Sequence, residues 1–291
     1  MLSQTVIKVM ITTLNGLSYA ALLFIMSSGF GLIFGLMRTV NMSHASLYTL
    51  GAYIGVTIAS RIGSLTVGVA CATVCLFFIG LAIERLLLRR FHGRATDLML
   101  LTIGLMWVLD DIMLWIWAAI PMKSGMPDMF RGAANILGGS FPKYRLFMIG
   151  LGVVACLIMW FIVDRTKLGA MIRAGADNRE IARAIGIKVN RVFMLTFAIG
   201  IGLAAFGGAA STPSISANSG SSMELFTLSL VVVNIGGAGT IAGAIAGSLF
   251  VGLVDSFGKS YFPQLAYFTV FVPLAIVMVF RPQGLLGKKI R

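Results

Sequence analysis

Long uncharged segments alternate with short polar connections along most of the chain. A helix of about 20 apolar residues crosses a bilayer, and the strict alternation of apolar and polar residues that is typical of barrel strands is absent from these segments. The pattern predicts an all-α polytopic membrane protein with about eight to nine transmembrane segments. We expect them at 9–37, 45–60, 65–84, 98–120, 145–164, 192–212, 224–256 and 264–281.

Two of these segments do not have the length of a simple span. Segment 45–60 is short and contains several polar and small residues. Segment 224–256 is too long for one straight crossing, and glycines interrupt it at 236, 237 and 239. We therefore expect 224–256 to enter the membrane and return to the same side, either as two short helices or as a re-entrant hairpin.

The two irregular segments share a residue pattern. Asn41 and Asn234 each lie between apolar residues, and each is followed by a Gly-Ala-x-x-Gly motif. Interrupted segments in matching halves mark substrate sites in many transporters, although a chain rich in Gly and Ala can produce such a match by chance. The candidate translocation residues here are Asn41, Asn234, Gly236, Gly237 and His44; His44 could also form a hydrogen-bonded packing contact.

Charged residues are few and strongly biased. The 291 residues are 58% hydrophobic and 11% charged, with a mean hydropathy of +0.95 and a net charge of +13. Lys and Arg cluster beside apolar segments, as expected when basic loops stay in the cytoplasm, so the positive charge does not indicate a nucleic-acid partner. The bias predicts an external N-terminus if 9–37 crosses once. It predicts cytoplasmic positions for 85–97, 165–191, Arg281, Lys288, Lys289 and Arg291, and external positions for 121–144 and 213–223.

Asp110 and Asp111 lie inside the apolar segment 98–120. Ionisable groups within a bilayer are costly and usually have a function. Three interpretations are open. One carboxylate could bind a cationic group of a substrate, the pair could bind an internal cation or a basic residue of a partner subunit, or the segment could tilt so that both lie near the surface.

The loop 165–191 is the most elaborate polar connection. It holds seven of the 23 Lys and Arg residues but only two acids. The D-x-x-E spacing is that of a capping box and predicts a short amphipathic helix at 178–185, with a glycine after it. Such a short helix is not stable alone in water, so we expect it to rest on lipid headgroups or in a groove of a soluble protein. The residues concerned are Asp177, Glu180, Ile181, Ala182, Ile185 and Gly186.

These residues also carry a family resemblance. Glu180-Ile181-Ala182-x-x-x-Gly186 resembles the E-A-A-x-x-x-G loop of ATP-binding cassette (ABC) importer permeases, with Ile in place of the first Ala. The run 173–208 is similar to the permeases of branched-chain amino acid (LIV-type) importers, and matches to their H-type subunit extend over nearly the whole chain. These further matches lie at 15–20, 40–53, 101–104, 236–247 and 280–285.

The resemblance implies a function and a set of partners. Residues 1–291 would form a single transmembrane permease domain in the bacterial cytoplasmic (inner) membrane, with 165–191 as its cytoplasmic coupling loop. The permease would pair with a second, different permease and with two ATP-binding subunits, which drive alternating access. An external substrate-binding protein would deliver amino acids of the branched-chain type or related small polar solutes. ATP would bind the partner subunits, so no cofactor would bind this chain directly.

The residues are also compatible with a secondary transporter, but they do not indicate an enzyme. Asp110 or Asp111 could carry a proton in a self-contained secondary transporter. The pair departs from the family that the chain resembles, which usually has uncharged polar residues near this position. An enzyme is not expected, because HExxH and GxSxG motifs are absent, and no metal site is expected. Gly258-Lys259-Ser260 is not a phosphate loop, because Leu253 stands where the first glycine is required.

Overall fold

The computed structural model describes residues 4–136, 138–266 and 268–287, and most of them are helical. Lys288, Lys289 and Arg291, part of the predicted C-terminal basic cluster, lie outside the described residues. The helices are α1 Gln4–Met37, α2 Ser43–Ile62, α3 Leu65–Leu86, α4 Ala95–Trp117, α5 Lys143–Trp160, α6 Lys167–Asp177, α7 Arg179–Ala184, α8 Val189–Ser211, α9 Ser222–Gly236, α10 Ile241–Tyr261 and α11 Phe268–Phe280. Strands β1 Ala133–Ile136 and β2 Gly139–Pro142 pair antiparallel, with Ala133 opposite Pro142.

The helices have the lengths of a polytopic membrane protein. Within the described residues, six are long and apolar enough to cross a bilayer: α1, α3, α4, α8, α10, and α5 together with its π-helical extension to Arg165. Helix α2 has 20 residues, and the apolar helices α9 and α11 have 15 and 13. The predicted all-α membrane architecture is therefore confirmed.

The helix ends gather at two opposite ends of the molecule. At one end, which we call the basic end, Arg38 donates a 2.9 Å hydrogen bond to the carbonyl of Ala176, and the ring of His92 lies 4.8 Å from that of Phe193. The other, the hairpin end, carries β1 and β2, and here Met122 pairs with Ala217. Successive connections alternate between these ends. The basic end therefore holds 38–42, 87–94, 165–188 and 237–240, and the hairpin end holds 118–142 and 212–221.

The centre of the fold is built from α1 and α8, whose spans are the most buried. Small residues allow the helix backbones to approach closely, which replaces the hydrophobic drive that lipid does not provide. A Cβ on Gly200 of α8 would lie 3.0 Å from the carbonyl oxygen of Gly29 in α1. A Cβ on Gly252 of α10 would lie 2.7 Å from the carbonyl oxygen of Gly16. Neither position has room for a larger side chain.

Segment 224–256 forms two helices, but only α9, with 15 residues, is short as predicted; α10 has 21 residues and is long enough to cross a bilayer. Helix α9 descends from the hairpin end and α10 returns to it, and the turn between them contains Gly237 and Gly239, both with positive φ. Thr240 caps α10 by accepting a hydrogen bond from the amide of Gly243 at 3.0 Å. The expected break is thus confirmed at the expected glycines.

Several boundaries differ from the prediction. Helix α1 begins at Gln4 and α2 extends over 43–62, because flanking polar residues continue the helices beyond the apolar segments. Helix α6 fills the first half of the polar loop and was not predicted. The loop 121–144 contains the β-hairpin, which hydrophobic patterning did not indicate.

Candidate functional site

Helix α7, the predicted helix of the polar loop, forms with a different cap. Its N-cap is Asn178, whose side-chain oxygen accepts hydrogen bonds from the amides of Glu180 at 2.9 Å and Ile181 at 3.1 Å. The prediction that Asp177 caps the helix is wrong, because Asp177 is the last residue of α6. Gly186 follows with φ +87°, in the left-handed region that suits the end of a helix.

One apolar side chain of the α7 region is buried in the protein, and two large ones are exposed at its surface. Ala182 is 1% exposed and belongs to the main hydrophobic core. Ile181 and Ile185 are 61% and 69% exposed, and their i, i+4 spacing places them on one face. The predicted single apolar face is therefore split, with one small residue packed inward and two large ones presented outward at the basic end.

Two arginines attach this region to the end of α1. Arg179 donates hydrogen bonds to the carbonyls of Leu36 and Met37 at 3.2 and 3.0 Å, and its guanidinium lies 4.5 Å from the ring centre of Phe193 in α8. Arg38, directly after α1, donates to the last turn of α6. The carbonyls at a helix C-terminus lack partners within the helix, so the arginines satisfy them. Arg179 therefore joins the start of α7 to both α1 and α8.

His92 lies next to these contacts, because its ring packs on the same Phe193 that Arg179 contacts. Its Nε2 is 3.4 Å from the fully buried Glu84 carboxyl, without the alignment of a hydrogen bond. Burial lowers the pKa of His92 to about 4, and the positive charges of Arg179, Arg89 and Arg183 add to the shift. His92 is consequently neutral at physiological pH, and the basic end gains no charge from it.

Asn41 and His44 lie buried at the basic end, between α1 and α2. The side-chain oxygen of Asn41 accepts a 2.7 Å hydrogen bond from Ser43, whereas its amide nitrogen has no partner among the described residues. The Nε2 of His44 is 3.1 Å from the carbonyl oxygen of Met26, and its ring packs on Phe30. His44 thus makes the hydrogen-bonded packing contact that was one of its two predicted roles.

Asn234, Gly236 and Gly237 lie at the C-terminal end of α9. Asn234 is partly exposed, while Gly236 and Gly237 are buried. The segment after α11 covers them, because the amides of Leu285 and Leu286 donate to the carbonyls of Ile235 and Gly236 at 2.7 and 3.0 Å.

The two irregular segments also meet in the fold. Val233 of α9 belongs to a buried cluster with Ala45 and Tyr48 of α2, and Val40 and Met42 pack against the same cluster. The neighbours of Asn41 and Asn234 along the chain therefore share one apolar core.

Asp110 and Asp111 have different environments in α4. Asp110 accepts a 2.7 Å hydrogen bond from Ser222 at the first residue of α9, where the positive end of the helix dipole favours an anion. Asp111 is exposed and has no ionic or hydrogen-bond partner in the described part of the chain. The two carboxylates lie toward the hairpin end and are not brought together with Asn41, His44 or Asn234.

Sequence reasoning missed Asn178 and Arg179. A signal for Asn178 was available, because Asn is as good an N-cap as Asp and can cap the next two amides without a Glu three residues later. Arg179 could not be found from the sequence, because its partners are main-chain carbonyls more than a hundred residues away. In the described residues, no group of three His, Cys, Asp or Glu side chains is arranged to hold a metal ion.

The chain is similar to known permeases along nearly its whole length. The sequence profile of a family described as the permease component of branched-chain amino acid transport systems matches residues 12–280. The chain is 27% identical to the high-affinity branched-chain amino acid transport system permease protein BraD of Pseudomonas aeruginosa and 23% identical to LivH of Escherichia coli, in both cases over 94% of each protein. It is 29% identical to the autoinducer 2 import system permease protein LsrC of Klebsiella pneumoniae over 53% of this chain and 46% of that one. No solved structure matches the chain.

Proposed function

The chain belongs to the family of permease components of branched-chain amino acid transport systems, and we propose that it is one permease subunit of an ABC importer, powered through α7 by separate ATP-binding subunits. Its substrates are branched-chain amino acids, the cargo in the names of BraD and LivH, or related small polar solutes. A second, different permease, two ATP-binding subunits and an external binding protein complete the assembly. ATP binds and is hydrolysed on the partner subunits.

The basic end faces the cytoplasm in this proposal. Loops rich in Lys and Arg stay on the cytoplasmic side of a bilayer, and the basic end contains the clusters at 85–94 and 165–191. The hairpin end then faces outside, where the binding protein docks, and the N-terminus of α1 is external. The location in a bacterial inner membrane follows from the family.

The observation that carries the proposal is the pair of exposed isoleucines on α7. Ile181 in the six-residue helix α7 and Ile185 directly after it are large apolar side chains exposed to water, which is unfavourable unless a partner covers them. A groove in an ATP-binding subunit covers Ile181 and Ile185 in the assembled importer. Glu180 and Asp177 flank the contact, and Gly186 with its positive φ fixes where the helix ends.

The contacts of α7 supply a route from this groove to the membrane. Ala182 is seated in the core, and Arg179 joins α7 to the last carbonyls of α1 and to Phe193 of α8. Since α1 and α8 are the central helices, a movement of α7 on ATP binding reorients the most buried part of the permease. This supports alternating access driven from the basic end.

We assign the translocation path to the face that this chain shares with the second permease. Asp111 is exposed on the long apolar helix α4, and a carboxylate within a bilayer is stable only against water or a polar partner. Asp110 positions the start of α9 through Ser222. Asn41, His44, Asn234, Gly236 and Gly237 belong to the largely buried irregular region whose rearrangement opens and closes the path.

The test uses the complete importer in proteoliposomes with ATP inside and the binding protein outside. Ile181→Asp places a charge in the ATPase groove, so we expect ATP-driven leucine uptake to fall at least tenfold while membrane insertion is unchanged. Met129→Asp, which introduces the same charge at a residue 77% exposed at the hairpin end, is the control for membrane insertion only, because that end also receives the binding protein. Normal uptake by Ile181→Asp would contradict the proposal. So would uptake by this chain alone under a proton gradient, which is the behaviour of a secondary transporter.

A further inference from the structure

A polar crevice of about 470 Å³ lies at the hairpin end, between α1, α5, α10 and the loop after α8. Its volume is within the roughly 300–1,000 Å³ that is typical of small-molecule sites. Its polar lining includes Thr12, Asn15, Ser18, Arg145, Asp255 and Lys259. None of these residues belongs to the coupling region or to the translocation candidates described above.

Two of the lining charges belong to a membrane-spanning helix. Asp255 of α10 is 7% exposed, and its Oδ2 is 2.7 Å from the Nζ of Lys259 one turn later. Ionisable groups on membrane helices face water-filled cavities or each other and commonly mark substrate pathways. Because Lys259 neutralises Asp255, the charged side chains of the lining leave one net positive charge, that of Arg145.

Arg145 and Ser18 retain unused hydrogen-bonding capacity. Arg145 donates to the side-chain oxygen of Asn15, which is its one hydrogen bond among the described residues. The rest of its planar guanidinium fork matches the two oxygens of a carboxylate. Ser18 is 8% exposed and lines the crevice, and its hydroxyl has no hydrogen-bond partner in the described chain. A buried hydroxyl without a protein partner is available to a ligand.

The apolar part of the lining consists of Leu22, Met148 and Ile215. We propose that the crevice is an outward-facing binding site for small solutes that carry a carboxylate, aliphatic α-amino acids included. Arg145 binds the carboxylate, Ser18 adds a hydrogen bond, and the apolar wall receives the side chain. The carboxylate follows from the crevice alone, whereas the choice of an amino acid rests on the proposed function.

Ser214 is exposed on the lining and serves as a reporter position. In a Ser214→Cys variant with the three native cysteines replaced by Ala, the rate of modification by a membrane-impermeant thiol reagent is measured on the full chain in lipid nanodiscs. We expect L-leucine and 4-methylpentanoate, which lacks the ammonium group, to slow modification severalfold. Leucinamide, which lacks the carboxylate, should leave the rate unchanged. Equal protection by leucinamide, or none by L-leucine, would overturn the proposal.

Matched variants separate the site from general effects. Arg145→Gln should raise the leucine concentration for half-protection about tenfold or more, whereas Lys143→Gln, a nearby exposed cation outside the lining, should not change it. Ser18→Ala removes no hydrogen bond within the described chain and should weaken protection severalfold, which keeps the test decisive if Arg145→Gln does not fold. Unchanged protection in both Arg145→Gln and Ser18→Ala would refute the assignment.

Two further outcomes distinguish the alternatives. Labelling that is slowed by phosphatidylglycerol in the nanodisc but not by leucine would identify a lipid headgroup as the occupant and overturn the proposal. The assay needs neither ATPase nor binding protein. Leucine protection without ATP-driven uptake by the importer would therefore contradict the proposed function alone, and uptake without protection would contradict the crevice site alone.

Discussion

At the scale of single residues, the basic end depends on polar groups whose partners are distant in sequence. Arg179 caps α1, Asn178 caps α7, and His92 fills the space between Glu84 and the arginines of the loop. The contacts of Arg179 and Asn178 satisfy main-chain groups that the helix ends leave without partners inside the helix. The pH response of His92 and the cap of α7 can each be tested.

The first test concerns pH. Burial and three nearby arginines lower the pKa of His92 from 6.5 to about 4. Below about pH 6.5 the unfolded chain gains a proton that folded His92 does not take up until about pH 4. Stability therefore falls as the pH decreases through this window. His92→Gln removes this contribution, so we expect the thermal unfolding midpoint of the detergent-solubilised variant to fall less, or rise more, between pH 7.5 and pH 5 than that of the unsubstituted protein. An identical pH dependence in His92→Gln would contradict the structure at this point.

The second test distinguishes the two possible caps of α7. Asn178→Ala removes the side-chain acceptor of two amides, at a cost of about 1 kcal/mol, which corresponds to about fivefold faster amide hydrogen exchange. The exchange should accelerate at Glu180 and Ile181. Asp177→Ala is the control and should leave these rates unchanged. Faster exchange in Asp177→Ala but not in Asn178→Ala would show instead that Asp177 caps the helix.

At the scale of helices, close backbone contact determines the packing. Gly252 of α10 faces the main chain of α1, whereas a Cβ added to Gly104 of α4 would meet no atom within 4 Å among the described residues. Gly252→Ala forces the helices apart and should lower stability by about 1–3 kcal/mol. Gly104→Ala replaces a poor helix former without a clash and should cause no loss. Thermal unfolding of both variants in detergent measures the difference, and equal midpoints would contradict the α1–α10 crossing.

The helices also show how far the sequence determines the structure. Hydrophobic length predicted the spans, and the glycines at 236, 237 and 239 predicted the break between α9 and α10, because both effects are local. Helix α6 was missed because its Lys, Arg and Gly residues do not resemble a membrane span. The crevice around Arg145 was missed because its lining comes from four separate parts of the chain, and only the fold brings them together.

At the scale of the whole molecule, the two ends have different surfaces. The basic end presents exposed isoleucines beside clustered arginines, and the hairpin end presents a polar crevice. Family membership assigns the chain to transport, and the structure supplies a mechanical connection from α7 to the central helices. In the proposed function, energy enters at the basic end and solute enters at the hairpin end, as an importer driven by cytoplasmic ATPases requires.

The most direct test of this account is thiol cross-linking at α7 in the assembled importer. In a background without native cysteines, Ile185→Cys is paired with cysteines introduced along the groove of the ATP-binding subunit. Ile62→Cys, 59% exposed at the hairpin end, is the control. We predict a cross-link from position 185 to the ATP-binding subunit whose yield changes when ATP binds, and none from position 62. Failure of position 185 to cross-link anywhere in the groove of the purified, transport-active complex would contradict the account.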